Sequence, residues 1–443
     1  MKLTLIKPNI GRMEHSLYVD EGRMEPLQLG VLAGMTPPDV DVALHDDRME
    51  SIPYDDPTDL VAITVETYTA RRAYEIAAEY RRRGVRVILG GMQPTLIPEE
   101  CRAHADSIFI GDAETGWEQV IADARAGRLQ PEYRAPVGPP QTGTLTRRDL
   151  FRSKGYLPVT LLQFSRGCRY ACTFCAVSTF FDRTQYVRDV REVVREIESQ
   201  ERKFLFFVDD NLLSDFEAAK ELFRALIPLR VRWVSQASID MTRDPELMDL
   251  MMRSGCVGLV VGFESLDREN LRGMKKAPNL LGGFDRYEES LAIIRDHGMQ
   301  LWAAFTLGHD HDTRDSIRRT LDFAMENKFC FAAFNILVAY PGTPLYRQLA
   351  ADGRLLYDGQ WWLHPEYRFN YACFRPARMT PDELTEACFE ARAGFNSIGS
   401  VIRRAFDLKT NMRSLYRLGV YATYNPIFRK EVFKKHGMRF GLH

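Results

Sequence analysis

Three cysteines stand within eight residues, in the run Ser165-Arg-Gly-Cys168-Arg-Tyr-Ala-Cys172-Thr-Phe-Cys175. Thiolates are the usual ligands of iron–sulfur clusters. The spacing CxxxCxxC on one loop can hold three irons of a cubane and leaves the fourth without a protein ligand. An open iron is what a reaction needs if a small molecule must coordinate the cluster and receive an electron. Zinc is the competing reading. Zinc sites usually pair two CxxC elements and add a fourth ligand, and neither a second pair nor a nearby His is present. Chance is the plain alternative, but the chain has only eight cysteines. The other five, Cys101, Cys256, Cys330, Cys373 and Cys388, are scattered. They do not read as a secreted disulfide framework.

The cluster needs a scaffold, and the pattern around it alternates strand and helix. From Leu157 onward, strands are predicted at 159–164, 203–208, 231–238, 257–263, 300–306 and 331–339. Helices are predicted near 188–201, 215–227, 244–254, 284–297 and 313–327. Six such units suit a partial (βα)6 barrel over 157–345, and chemistry in such barrels sits at the C-terminal ends of the strands. The cysteines follow the first strand, on that side. Polar residues end the later strands: Asp209, Asp210 and Asn211 after the second, Gln236 and Ser238 after the third, Gly262-Phe-Glu264-Ser265 after the fourth. Helix capping is the plain reading of the Asp, Asn and Ser residues. His309 and His311 flank Asp310 after the fifth strand and read as solvated loop histidines. Cys256 reads as a buried small apolar residue.

The first 126 residues carry a second alternating pattern. Short strands are predicted at Leu3–Ile6, Val40–Leu44, Leu60–Val65, Val85–Leu89 and Ser107–Ile110, rich in Val, Ile and Leu as strands buried on both faces are. A helix is predicted over Ala70–Arg83, with Gly84 at its end. This is a doubly wound, Rossmann-like α/β domain. Residues 127–156 are rich in Pro and Gly and read as a linker. Residues 346–443 read as a helical, basic C-terminal region. From Val401 to His443 there are ten Lys or Arg against Asp407 and Glu431. The tail therefore carries about +8, and about −9 is left for the rest of a chain whose formal net charge is −1.

The cysteine motif and its strand–loop–helix setting resemble the radical SAM superfamily. The resemblance implies a [4Fe-4S] cluster on Cys168, Cys172 and Cys175, with S-adenosylmethionine (SAM) on the open iron. Reductive cleavage of SAM then gives a 5′-deoxyadenosyl radical. It also implies a reductant such as flavodoxin or ferredoxin. Phe174 matches the aromatic residue that precedes the third cysteine and lies near the adenine. The resemblance places Asp209, Asp210, Asn211, Gln236, Glu264 and Ser265 around SAM. Tyr340-Pro-Gly-Thr343-Pro344 is similar to a turn of several subfamilies.

The N-terminal domain extends the resemblance over nearly the whole chain, to the subfamily that joins a cobalamin-binding domain to the barrel. Gly90-Gly91, Thr64 and Thr95 match positions near cobalamin, so cobalamin is an expected cofactor. The chain lacks the DxHxxG motif that supplies a lower cobalt ligand elsewhere; Asp46-Asp47-Arg48-Met49 stands near its place. Glu66 and Gln93 also depart from the common pattern, so a degenerate domain that binds no cobalamin is the competing reading.

The expected function is a cobalamin-dependent methyltransferase acting on an unactivated carbon of a small-molecule or lipid-like substrate. The alternatives are a radical SAM cyclase, oxidase or rearrangement enzyme without methyl transfer, and an iron–sulfur electron carrier. An RNA methylthiotransferase would need three more N-terminal cysteines, and only Cys101 is there. The near-zero net charge gives no sign of a nucleic-acid binder. No run of about eighteen apolar residues exists, and MKLTLIKPNIGRMEH reads as a first strand rather than a signal peptide. Both point to the cytoplasm. The basic tail interleaves with Tyr416, Tyr421, Tyr424 and Phe428. A solvated cap with inward aromatics is its favoured reading, with membrane contact as the alternative.

Overall fold

A computed structural model describes residues 1–11, 23–140, 143–282 and 284–442. Positions 12–15 of the expected N-terminal strand segment, and 141 and 142 of the expected linker, lie outside the described residues. The chain forms two compact units. The first comprises Met1–Pro158, Tyr357–Phe369 and the end from Gly437. The second comprises Val159–Leu356 and Asn370–His436.

The first unit is built on β1 (Lys2–Lys7), β2 (Asp41–Asp46), β3 (Leu60–Thr64), β4 (Arg86–Gly90), β5 (Ser107–Ile110) and β6 (Glu132–Arg134). All pair parallel, in the order β2-β1-β3-β4-β5-β6. The order reverses between β1 and β3, and ligands of doubly wound sheets bind beyond the carboxyl ends of the strands at that switch point. Leu3, Leu5, Ile88 and Phe109 of the sheet bury against Leu29, Trp117 and Val120 of the flanking helices.

The stretch 127–156 carries structure that its Pro and Gly content conceals. Its residues 132–134 add β6 to the sheet, and Phe151 is buried in the same core. Two late segments belong to this unit as well. Tyr68 meets the rings of Trp361, Phe369 and Phe440 edge-on, with centroids 5.2, 5.7 and 5.7 Å away. The Trp362 indole donates to Glu100 at 3.0 Å, and the Leu442 amide donates to Glu75 at 2.9 Å.

The second unit contains β7 (Thr160–Leu162), the antiparallel pair β8 (Ser165–Gly167) and β9 (Gln185–Val187), β10 (Phe204–Phe207), β11 (Arg232–Ala237), β12 (Cys256–Glu264), β13 (Gln300–Leu307) and β14 (Phe331–Ile336). Its main sheet runs β14-β13-β12-β11-β10-β7, all parallel and in sequence order, as a partial (βα)6 barrel does. Phe263, Phe305 and Phe334 stack across three neighbouring strands, with centroids 5.7 and 5.4 Å apart. Each such contact contributes about 0.5–1.5 kcal/mol beyond the area it buries.

The helices start at the strand ends where the cysteines lie, and short polar residues cap them. Asp215 caps Phe216–Leu226, Asp244 caps Pro245–Arg253, and Thr313 with Ser316 forms a capping box on Arg314–Glu326. Each cap satisfies amide N–H groups that the first turn would otherwise leave bare. Among the described residues no helix is long and apolar enough to cross a membrane.

Candidate active site

The cysteine loop leaves β8 at Gly167 and is pinned from three sides. Gly167 has φ +82°, and a Cβ there would sit 2.1 Å from the Thr184 carbonyl oxygen. Only glycine allows β8 to lie against the β9 side at that point. The Gly167 amide donates to Asp210 at 2.8 Å, and the Arg169 amide donates to Ser214 Oγ at 3.0 Å. Farther along, the Thr173 amide donates to Met274 O at 2.9 Å, and Thr173 O accepts from the Leu345 amide at 3.0 Å.

Asp209 works on the same loop. It is fully buried and accepts from the amides of Phe164 and Ser165, and from Ser165 Oγ at 2.6 Å. Burial pushes its carboxyl up to about 7, against those hydrogen bonds. Burial raises Asp210 too, while the Gly167 amide opposes it. Both carboxylates are thus engaged in holding the backbone on either side of β8. Asn211 reaches closer to the sulfurs. Its Nδ2 lies 3.9 Å from Cys168 Sγ and 3.1 Å from Ser238 Oγ.

All three motif cysteines are free; Cys172 is buried, Cys168 and Cys175 partly so. Burial raises the Cys168 thiol and pushes Cys172 up to about 12, with Lys276 pulling Cys172 the other way. Lys276 is a feature that sequence reasoning missed. It stands next to Lys275 in the sequence, and its ammonium lies 2.6 Å from Glu264 Oε1. Burial works against its charge, but Glu264 and Cys172 outweigh that and keep it protonated. The second Glu264 oxygen accepts from Thr306 Oγ1 at 2.7 Å.

Glu264 itself has φ +61°, beside a register shift in the β12–β13 ladder between Gly262 and Glu264. Irregularities of this kind re-aim side chains next to active sites. Ser265 is spent locally, accepting from the Asp267 amide at 3.1 Å and from Asn270 Nδ2 at 3.3 Å. Gln236 presents an exposed side chain at the end of β11.

His309 departs from expectation. It is buried rather than solvated, and its ring meets Phe174 edge-on at 6.3 Å. Its backbone amide and that of Gly308 donate to Asp312 at 3.0 and 2.9 Å, which folds the turn inward. Among the described residues its Nε2 has no hydrogen-bond partner. It lines a cavity of about 140 Å³ with Thr173, Asn270, Arg354 and Phe374. Burial holds its imidazole down to about 4, so it is neutral at physiological pH. His311 is exposed, as expected.

Among the described residues no three His, Cys, Asp or Glu side chains converge on a single ion. A cubane asks for something else, one thiolate on each of three separate irons. Free cysteines on one braced loop, a half-buried ammonium and an amide N–H near sulfur fit that group. In the first unit, Thr64, Gly90, Gly91 and Thr95 gather at the ends of β3 and β4. Gly91 has φ +103°, and a Cβ there would meet Val65 O at 3.1 Å and Thr64 Oγ1 at 3.3 Å. Thr95 Oγ1 donates to Gly91 O at 2.9 Å and accepts from the Gly111 amide at 3.0 Å, so it braces the turn. Across the switch point Lys7 Nζ lies 2.6 Å from Glu66, and that charge holds the Glu66 carboxyl below its usual range.

Residues 162–324 match the family model of the radical SAM superfamily, so that domain lies at the centre of the chain. Over 400 residues it is 29% identical to a bacteriochlorophyllide d C-12(1)-methyltransferase of Chlorobaculum tepidum, covering 87% of this chain and 85% of that protein. The radical SAM methyltransferase TsrM of Kitasatospora setae, solved with cobalamin and a [4Fe-4S] cluster, shares the fold. Its TM-score is 0.63 at 18% identity, covering 79% of this chain and 75% of that one. So does the cobalamin-dependent SAM radical enzyme OxsB with aqua-cobalamin bound, at TM-score 0.65 and 13% identity. That match covers 98% of this chain and 72% of OxsB.

Proposed function

We propose that this chain is a cobalamin-dependent radical SAM methyltransferase that methylates an unactivated carbon of an apolar small molecule. The observation that carries the reading is the pairing of two sites in one chain. One is a braced three-thiolate loop at the C-terminal end of a six-stranded parallel sheet. The other is a glycine-kept edge at the carboxyl ends of β3 and β4, one strand from the switch point of a doubly wound sheet. The long match to a methyltransferase named for a carbon of bacteriochlorophyllide d supports methyl transfer to a bulky apolar substrate.

In this reading Cys168, Cys172 and Cys175 hold the cluster, and Asn211 and Lys276 stabilise charge on the sulfurs. Phe174 flanks the adenine. Gln236 and Glu264 are the polar groups nearest to hand for SAM, whereas Asp209, Asp210 and Ser265 act through the backbone they hold. Thr64, Gly90 and Gly91 line the cobalamin edge, and Thr95 braces it. When bound, the cluster and SAM supply a hydrogen-abstracting radical and cobalamin supplies the methyl group. An electron donor such as flavodoxin or ferredoxin, in a reducing compartment such as the cytoplasm, completes the assignment.

The test is anaerobic reconstitution with iron, sulfide and cobalamin, followed by product analysis. Formation of 5′-deoxyadenosine and S-adenosylhomocysteine in matched amounts is expected. Cys172→Ala should abolish both products. Deoxyadenosine without S-adenosylhomocysteine would instead favour ring formation or oxidation, and reduced, cluster-loaded protein that leaves SAM intact would favour an electron carrier.

A further inference from the structure

The tail's basic and aromatic residues do not share one fate. Tyr421 is buried, its hydroxyl donating to Val401 O at 2.6 Å. Phe428 packs on Trp302 and Phe331, with centroids 4.7 and 4.9 Å away. Arg404 is fully buried and donates to Phe329 O at 2.8 Å, and Arg417 donates to Val257 O at 2.9 Å. These contacts plug the N-terminal ends of β12 and β14, opposite the cysteine loop.

A different set of residues faces water there. Ile398, Ile402, Phe406, Leu408 and Leu415 are 55–89% exposed. Ile398 and Ile402 stand one turn apart on the helix Ile398–Ala405, on one face. Phe406 and Leu408 lie in the turn that follows, and Leu415 opens the helix Leu415–Lys435. Scattered exposed apolar residues need no explanation; five large ones within eighteen residues do.

The exposed charge carried by the segment itself has one sign. Arg403, Lys409 and Arg413 are exposed, while the only acid of the segment, Asp407, is buried against Arg295 at 3.0 Å. Lys409 also leans on Asp296 at 2.6 Å.

We propose that this face docks on an anionic lipid bilayer, with the five apolar side chains inserted at the interface and the flanking cations on the headgroups. Apolar insertion combined with cationic attraction is how short amphipathic segments hold a membrane surface. A second copy of the chain fits less well. A two-fold dimer places the patch against itself, and Arg403 and Arg413 would then face their own copies. The docked barrel turns its cysteine loop away from the bilayer. The proposal is independent of the reaction assigned above.

The test is flotation of the full chain with vesicles of phosphatidylglycerol and phosphatidylcholine in equal parts, and with vesicles of phosphatidylcholine alone. Binding to the mixed vesicles is expected, weakened by salt and at least about tenfold weaker on the neutral ones. The double substitution Ile402→Asp with Phe406→Asp should release the protein. Arg403→Glu with Arg413→Glu should do so at low salt. Because all four positions are exposed and far from the cysteines, thermal unfolding and SAM cleavage should match the wild type, which separates a docking defect from misfolding. Absence of flotation on mixed vesicles would overturn the proposal, as would equal binding to neutral ones. A dimer in light scattering that Ile402→Asp dissolves, without vesicle binding, would assign the face to a second copy instead.

Discussion

At the scale of single residues, the site is a set of buried charges and one buried neutral base. His309 is the sharpest case. A folded imidazole held near 4, against an ordinary value near 6.5, takes up its proton less readily than the unfolded chain does. Its neutral state therefore contributes stability that is fully present above about pH 6.5 and is lost as the pH falls toward 4. The whole span is worth about 3 kcal/mol, with about 2 kcal/mol gone by pH 5. His309→Leu keeps the bulk, removes the titration and removes the unpartnered Nε2, whose burial costs about 1–3 kcal/mol. In the cluster-free chain the variant should be the more stable at pH 7.5, and its advantage should widen at pH 5. Urea midpoints at both values check this, and parallel curves would show that the imbalance is not at His309. The motif cysteines stand out in the sequence because thiolates at that spacing have few other uses. The burial of His309 does not, because Gly-His-Asp-His-Asp looks like a polar turn until Asp312 is seen folding its amides inward. Lys276 was equally hidden, since nothing in a Lys-Lys pair says which ammonium finds a carboxylate.

At the scale of elements, the strand pattern read correctly because strands buried on both faces leave a compact apolar signal. The hairpin of β8 and β9 did not read. Its strands are three residues each, too short for a period. Yet this hairpin fixes where the cysteine loop starts, and one glycine fixes the hairpin. Gly167→Ala would put a methyl on the Thr184 carbonyl and force a side chain into a left-handed conformation. The backbone term alone is about 1–3 kcal/mol, and the clash adds to it. The expected outcome is a lower unfolding midpoint together with reduced iron and sulfide after reconstitution, read by absorbance. A variant that loads a full cluster would mean that the loop is held by Asp210 and Ser214 rather than by the hairpin. The polar residues after β10 illustrate the same ambiguity in reverse. Aspartates at a strand end suit a ligand, but Asp209 and Asp210 turn out to carry the backbone on which the ligand's loop is hung.

At the scale of the whole molecule, the two alternating patterns were visible in the sequence, but the path of the chain between them was not. Residues 357–369 and 437–442 return to the first unit after the barrel has been completed. They are short, irregular and far from it in sequence, so no periodicity announces them. Their contribution is large: Trp361, Trp362, Tyr367 and Phe440 are each at most 2% exposed, and fully burying an aromatic of that size is worth about 2–3 kcal/mol. A fragment ending at residue 158 keeps every strand of the first sheet but loses these four rings, the edge-on contacts of Tyr68 with Trp361 and Phe440, and one donor each to Glu100 (Trp362) and Glu75 (Leu442). The sequence pattern alone would expect such a fragment to fold as an autonomous α/β domain. The structure leads to the opposite expectation: the 1–158 fragment should bind a hydrophobic dye, show weak near-ultraviolet circular dichroism and unfold without a sharp transition. Fusing 357–369 and 437–442 to it through flexible linkers should restore a cooperative melt. Were the bare fragment to melt cooperatively and bind no dye, the returning segments would be a cover on a finished domain rather than part of its core.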